Sequence, residues 1–170
     1  MCEEFYYTAA VTERVVLRKQ PKTVLEISMS GSRYGRLIRD CQHRLFDSGE
    51  AIQLDRVDIS EGVIPMDSRP YDRLLPIESL DHPSLLNKYD FILIADLYER
   101  LDIETGQRLL KALSEKSAKG IIVISPGEPN DLFGSIREEI GALDIICQKI
   151  ESGSEVMWFY YVSLKTAVKD

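Results

Sequence analysis

The chain has 170 residues, with 21 Lys and Arg against 28 Asp and Glu, for a formal charge of −7. That length suits one domain, and 44% hydrophobic with 29% charged residues excludes both a disordered chain and a membrane-embedded one. The acidic balance argues against a broad binder of phosphate backbones, whose affinity comes from clustered Lys and Arg that release counterions.

The predicted elements alternate helix and strand. A helix is expected over Thr8 to Arg18, stopped at Pro21, followed by a buried strand, Thr23 to Ile27. Arg33 to Phe46 places Tyr34, Leu37, Ile38, Cys41 and Leu45 on one helical face. Ile52 to Ile59 alternates as a second strand, and Arg73 to Ile77, between Pro70 and Pro76, is a weaker third. Tyr89 to Ala95 is a continuous apolar run, the pattern of a strand covered on both faces.

A helix over Glu104 to Ser117 follows, with Leu109, Leu110 and Leu113 as its apolar stripe and Asp102 and Glu104 near its positive end. Gly120 then punctuates the chain before a fifth strand, Ile121 to Ile124. A last helix is expected over Asp131 to Ile140, capped by Asn130 or Asp131 and closed by Gly141. Leu143 to Glu151 and Glu155 to Leu164 flank Ser152-Gly153-Ser154 as a hairpin, whose turn reverses the final strand. The fold class is α/β, a three-layer sandwich around a mostly parallel sheet with one antiparallel strand, in a single domain spanning 1–170.

Cys2, Cys41 and Cys147 are odd in number and lack zinc-site spacing, so buried, reduced thiols are expected and no metal site. Met1 to Tyr7 carries Glu3 and Glu4, unlike a secretory signal, and no segment reaches the roughly 18 apolar residues of a membrane span. A cytoplasmic protein is the default. His43 and His82 lie outside any nucleophilic relay pattern, and Trp158-Phe159-Tyr160-Tyr161 reads as core and sheet edge rather than a binding surface.

In an open parallel sheet, ligands bind beyond the carboxyl ends of the strands where the order reverses. The polar residues expected there are Glu26, Ser28, Ser30, Gly31 and Ser32 after the first strand, Asp58 and Ser60 after the second, Glu78 after the third, and Asp96, Tyr98 and Glu99 after the fourth. The carboxylate after the second strand is placed to accept hydrogen bonds from a ribose diol, and the one after the third to meet an adenine amino group.

These residues resemble the class I S-adenosylmethionine-dependent methyltransferases. Val24-Leu25-Glu26-Ile27-Ser28-Met29-Ser30-Gly31-Ser32 is similar to that family's first motif, V-L-E-I-G-x-G-x-G, with serine at each glycine position. Val57-Asp58-Ile59-Ser60-Glu61 is similar to the second motif, and Tyr89 to Leu101 to the one on the fourth strand, with Arg100 where histidine is common. The resemblance covers about residues 20 to 165 and implies a seven-stranded Rossmann-like sheet, S-adenosylmethionine as cofactor, and methyl transfer to a small or medium-sized acceptor. Glu26, Ser28, Ser30, Gly31, Ser32, Asp58, Ser60, Glu78 and Asp96 are then the cofactor-binding candidates, and Asp96, Tyr98 and Glu99 the candidates for deprotonating an acceptor. The serines, with the short chain, equally suit an inactive methyltransferase-like module that binds a protein partner. A nicotinamide-dependent oxidoreductase ranks last, since Ser30-Gly31-Ser32 does not supply a Gly-x-Gly-x-x-Gly turn.

Overall fold

The run Val24 to Ile27 forms β1 (Thr23–Ser28), paired in parallel with β2 (Gln53–Asp58) on one edge and β4 (Tyr89–Ala95) on the other. Val24, Leu25 and Ile27 are buried, on alternate faces, which is why the run is apolar throughout rather than alternating. The computed structural model describes residues 3–28, 34–45, 51–58, 69–75, 89–97, 100–126, 140, 142–152 and 155–164. Among them, β3 (Arg73–Leu75), β5 (Ser117–Ser125), β6 (Ala142–Ser152) and β7 (Glu155–Leu164) complete a seven-stranded sheet in the order β3-β2-β1-β4-β5-β7-β6. Only β7 runs against its neighbours, antiparallel to β5 and β6, as the short hairpin turn requires.

Two helices cover one face. α1 (Glu3–Lys19) and α2 (Tyr34–Leu45) pack Val16, Tyr34, Ile38 and Cys41 onto Val24, Phe91, Leu93, Ile122 and Phe159. On the opposite face α3 (Ile103–Ser114) sets Leu110 and Leu113 against Leu25, Ile27, Ile92, Ile94 and Val123. α1 begins before the predicted Thr8, at Glu3. It ends as Gln20 adopts φ 46° and donates its N–H to the Val16 carbonyl at 2.8 Å, just before Pro21. The helix predicted over 131–140 lies outside the described residues except for Ile140, as does the predicted cap at Asn130 or Asp131.

Several boundaries differ from those predicted. α3 stops at Ser114 rather than Ser117, because Ser114 Oγ donates to the Lys111 carbonyl at 2.7 Å and Lys116 N donates to Leu113 O at 3.0 Å, turning the chain into β5. Gly120, predicted as a break, lies inside β5. Tyr89 pairs with Ser117 and Phe91 with Gly120, so β5 carries one extra residue there. The Ser117 hydroxyl closes this bulge, donating to Gly120 O at 2.7 Å and accepting from Gly120 N at 3.2 Å. β7 lies inside the sheet, with Phe159, Tyr160 and Tyr161 buried, and the edge belongs to β6. That edge leaves Cys147 exposed, contrary to the expectation of buried thiols, while Cys41 is fully buried.

Gly120 is required for space. A Cβ there would lie 2.6 Å from the Val162 carbonyl oxygen and 2.7 Å from the Tyr161 ring, on the neighbouring strand. Gly120→Ala is therefore expected to lower the thermal midpoint by about 2–10 °C, from an overpacking cost of roughly 1–3 kcal/mol in a chain of this length. A melting curve superimposable on that of the parent would contradict the close approach.

Candidate functional site

The sheet order reverses between β1 and β4, so the crevice opens at their carboxyl ends. Pairing places the strand ends level, with Ser28 opposite Asp58 on β2 and opposite Ala95 on β4. Asp96 follows directly. Neighbouring strands lie about 4.8 Å apart, so these three positions form a short row along one lip of the crevice. The side chain of Asp58, together with Ser30, Gly31, Ser32, Ser60, Glu78, Tyr98 and Glu99, lies outside the described residues.

Glu26 is fully buried on the α2 side of β1. The Ser28 hydroxyl donates to its Oε1 at 3.2 Å, and the Tyr71 hydroxyl to its Oε2 at 3.0 Å. Arg56, opposite Glu26 on β2 and equally buried, donates from Nη1 to the Tyr71 hydroxyl at 3.5 Å and lies 5.4 Å from the centre of its ring. Burial and the Glu26 carboxylate push the Tyr71 phenol above its ordinary range, so it stays a neutral donor. Glu26 therefore reaches the crevice through Ser28, whose orientation it sets.

Tyr71 is itself held from α2. Arg39 donates to the Pro70 carbonyl at 2.6 Å, to the Ile52 carbonyl at 2.5 Å and to Asp72 Oδ2 at 2.8 Å, and Asp72 also accepts from Leu54 N at 2.7 Å. Gly35 supplies the space for the ring, since a Cβ there would sit 2.6 Å from the Tyr71 hydroxyl. Tyr71, Arg56 and Arg39 carry no motif and were not singled out by the sequence. Two signals pointed to them: a glycine inside a helix, which costs stability unless something needs the room, and an arginine in an otherwise apolar strand.

Ser28 departs from the glycine pattern at no backbone cost. Positive φ among the described non-glycine residues belongs to Gln20 and Asp96 alone, so Ser28 ends β1 in a conformation open to any side chain. Asp96 takes the left-handed conformation instead, at φ 55°, with its N–H donating to the Ile124 carbonyl at 3.2 Å. Burial raises the proton affinity of its carboxyl, which Arg100 opposes. After it, Asp102 caps α3, accepting from Thr105 N at 2.9 Å and from the Thr105 hydroxyl at 2.7 Å.

A second polar cluster lies on the opposite face of β2. Buried Asp55 accepts from Tyr89 Oη at 2.7 Å, Gln53 Nε2 at 3.1 Å and Arg73 Nε at 3.1 Å and Nη2 at 2.5 Å, locking β2 to β3 and β4. Burial alone would raise the Asp55 pKa, but these donors together outweigh it and hold the carboxyl below its ordinary range. His43 is exposed on α2, and among the described residues no group of three or more His, Cys, Asp or Glu could hold a metal.

Solved structures share this fold. The methyltransferase domain of the bacterial CtHen1-CN superposes with a TM-score of 0.66 at 16% identity, covering 92% of this chain and 97% of that one. The chain has the class I S-adenosylmethionine-dependent methyltransferase fold. A SAM-dependent methyltransferase from Archaeoglobus fulgidus matches with a TM-score of 0.62 at 16% identity over 95% and 94% of the two chains. Magnesium protoporphyrin IX methyltransferase from Synechocystis PCC 6803, solved with bound SAH, matches with 0.67 at 10% identity over 94% and 83%. No protein-family model matches the sequence, and no curated protein does. The described part of the motif that carried the resemblance, Val24 to Ser28, thus lies on β1 and ends at the crevice of a methyltransferase-fold sheet. No helix among the described residues is long and apolar enough to cross a membrane.

Buried Asp55 and half-buried Asp96 should respond oppositely to pH. Asp55, with its pKa depressed in the fold, stabilises above the ordinary value of 3.8 and loses that contribution as pH falls through its lowered value. Asp96, with its pKa raised, destabilises at neutral pH, a penalty that vanishes on acidification below 3.8. Asp55→Asn should melt below the parent at pH 7, and Asp96→Asn above it, with both differences shrinking toward acid. Melting curves across pH check this; equal shifts at all pH values would contradict the assignment.

Proposed function

We propose that the chain binds S-adenosylmethionine in the crevice between β1 and β4 and transfers its methyl group to a small or medium-sized acceptor. The observation that carries this reading is the row of Ser28 and Asp58, level with each other, and Asp96, one residue past the level of Ser28, at the switch point of the sheet. The residues fit such a cofactor: the lip offers hydroxyl and carboxylate acceptors suited to a ribose diol and an ammonium group, and Ser28 leaves the backbone unstrained. Bound there, the cofactor supplies a methyl group on an electrophilic sulfonium.

The chain's own part is positioning, which for an in-line displacement is much of the work. Asp58, ending β2, accepts hydrogen bonds from the ribose hydroxyls. Ser28, fixed by Glu26, carries the methionine portion, with Ser30, Gly31, Ser32, Ser60 and Glu78 as the further cofactor-binding candidates. Asp96, whose burial favours its protonated form, is placed to hold or accept a proton at a carboxylate oxygen, with Tyr98 and Glu99 as the neighbouring candidates. The reading places the protein in the cytoplasm.

Length does not weigh against an enzyme, since this chain covers 94% of the Archaeoglobus fulgidus methyltransferase. A second reading, a catalytically inactive module of the same fold that binds a protein partner, is favoured by Ser28, whose side chain stands where the family's glycine leaves the backbone bare. Calorimetric titration with S-adenosylmethionine and S-adenosylhomocysteine tests the proposal. Dissociation constants on the order of micromolar are expected, with Asp58→Ala weakening both by at least about tenfold through loss of a charged hydrogen-bond acceptor. Ser28→Gly should weaken binding, because it releases Glu26 and loosens the strand end. An absence of heat at about millimolar ligand would overturn the reading. Binding without turnover over a panel of acceptors favours the inactive module.

A further inference from the structure

A groove of about 620 Å³ separates α1 from the β6–β7 hairpin, away from the carboxyl-end crevice. Its walls are largely apolar, with Val11 and Val15 from α1, Phe159 from β7, and Ile146, which is 52% exposed on the edge strand β6, beside polar Gln148 and Ser163. Its rim is cationic. Arg14, Arg18 and Lys19 line it from α1, against Asp144 as the one carboxylate among the described lining residues, in a chain whose overall charge is −7. Arg14 and Arg18 stand one helical turn apart and are both exposed.

Tyr161 also lines the groove. The residue is 5% exposed, its hydroxyl is buried, and that hydroxyl has no hydrogen-bond partner. Its ring end packs against Gly120 of β5 and the hydroxyl has no accessible surface, so the ring alone contributes to the groove wall. Lys19 Nζ lies 5.7 Å from the centre of that ring, adding its charge to those of Arg14 and Arg18.

We infer that this groove binds an aliphatic carboxylate: an acyl chain laid along Val11, Val15, Ile146 and Phe159, with its anionic head against Arg14 and Arg18. The volume falls in the range of pockets that enclose a small ligand, roughly 300–1,000 Å³, rather than that of a broad protein interface. The charge selects an anion, and the apolar walls reject a fully hydrated one. The groove shares no lining residue with the row of Ser28, Asp58 and Asp96, so the inference does not depend on the methyl-transfer reading.

The test is calorimetric titration of the intact chain with decanoate, with decanol as the neutral control. Decanoate is expected to bind with a dissociation constant on the order of 10–100 µM, the value for a dozen heavy atoms at ordinary ligand efficiency. Decanol should bind at least about tenfold more weakly, and Arg14→Gln with Arg18→Gln should cost decanoate about tenfold or more, as the loss of charge-assisted hydrogen bonds implies. Tyr161→Phe serves as a control: it removes a buried hydroxyl with no partner, so the thermal midpoint of the free protein should hold or rise while decanoate affinity stays within about twofold of the parent. No heat at about 1 mM decanoate, equal affinity for decanol, or affinity indifferent to the arginines would overturn the inference. So would concentration-dependent dimerisation abolished by Ile146→Asp, which would assign the groove to a second copy of the chain.

Discussion

The site depends on the clamping of β1 between β2 and β4. Both its edges are hydrogen-bonded in register and both its faces are buried, so it has no freedom to slide. A slip of one residue would move Glu26 from the α2 side to the α3 side and bury Leu25 and Ile27 against the wrong helices. Because the register is fixed, three strands end level, and a hydroxyl and two carboxylate positions line one lip of the crevice. The reversal of strand order beside β1 then leaves that lip uncovered by a crossover.

Polar clusters extend the clamp toward the weaker edge. β3 is three residues long and contributes little apolar packing, so β2 is held by charge and hydrogen bonds on both faces. On one face Asp55 gathers Arg73, Tyr89 and Gln53. On the other, Tyr71 links Glu26 to Arg56 and is anchored by the Arg39 contacts to the 70–72 segment. Removing one member of such a cluster leaves buried partners unmet, so their identities are more constrained than those of exposed charges. Glu26 acts on the crevice through this arrangement, orienting Ser28 from behind the lip.

What the sequence disclosed follows from range. β4, the core of β5, the hairpin strands and the acidic start of α3 were legible because each is written in adjacent residues: an apolar run, two strands flanking a turn signal, acids before a helical stripe. The first strand was read to Ile27, one residue short of its end at Ser28. The start of β5 was not legible, because Gly120 is read locally as a break, and only the opposing Val162 carbonyl and Tyr161 ring show that it is a close approach within a strand. Tyr71 was invisible for the same reason, since its partners Glu26 and Gly35 are far away in sequence. Cys147 is exposed because β6 is the sheet edge, a property of strand order that β6's own residues do not encode.

The central claim is that the level ends of β1, β2 and β4 form a nucleoside-binding lip. Backbone amide NMR of the intact chain during titration with S-adenosylhomocysteine tests it most directly. The account predicts saturable shifts at Ser28, Asp58 and Asp96, with the amides of α1 and β6 unmoved. Shifts confined to α1 and β6, or none at saturating ligand, would contradict it.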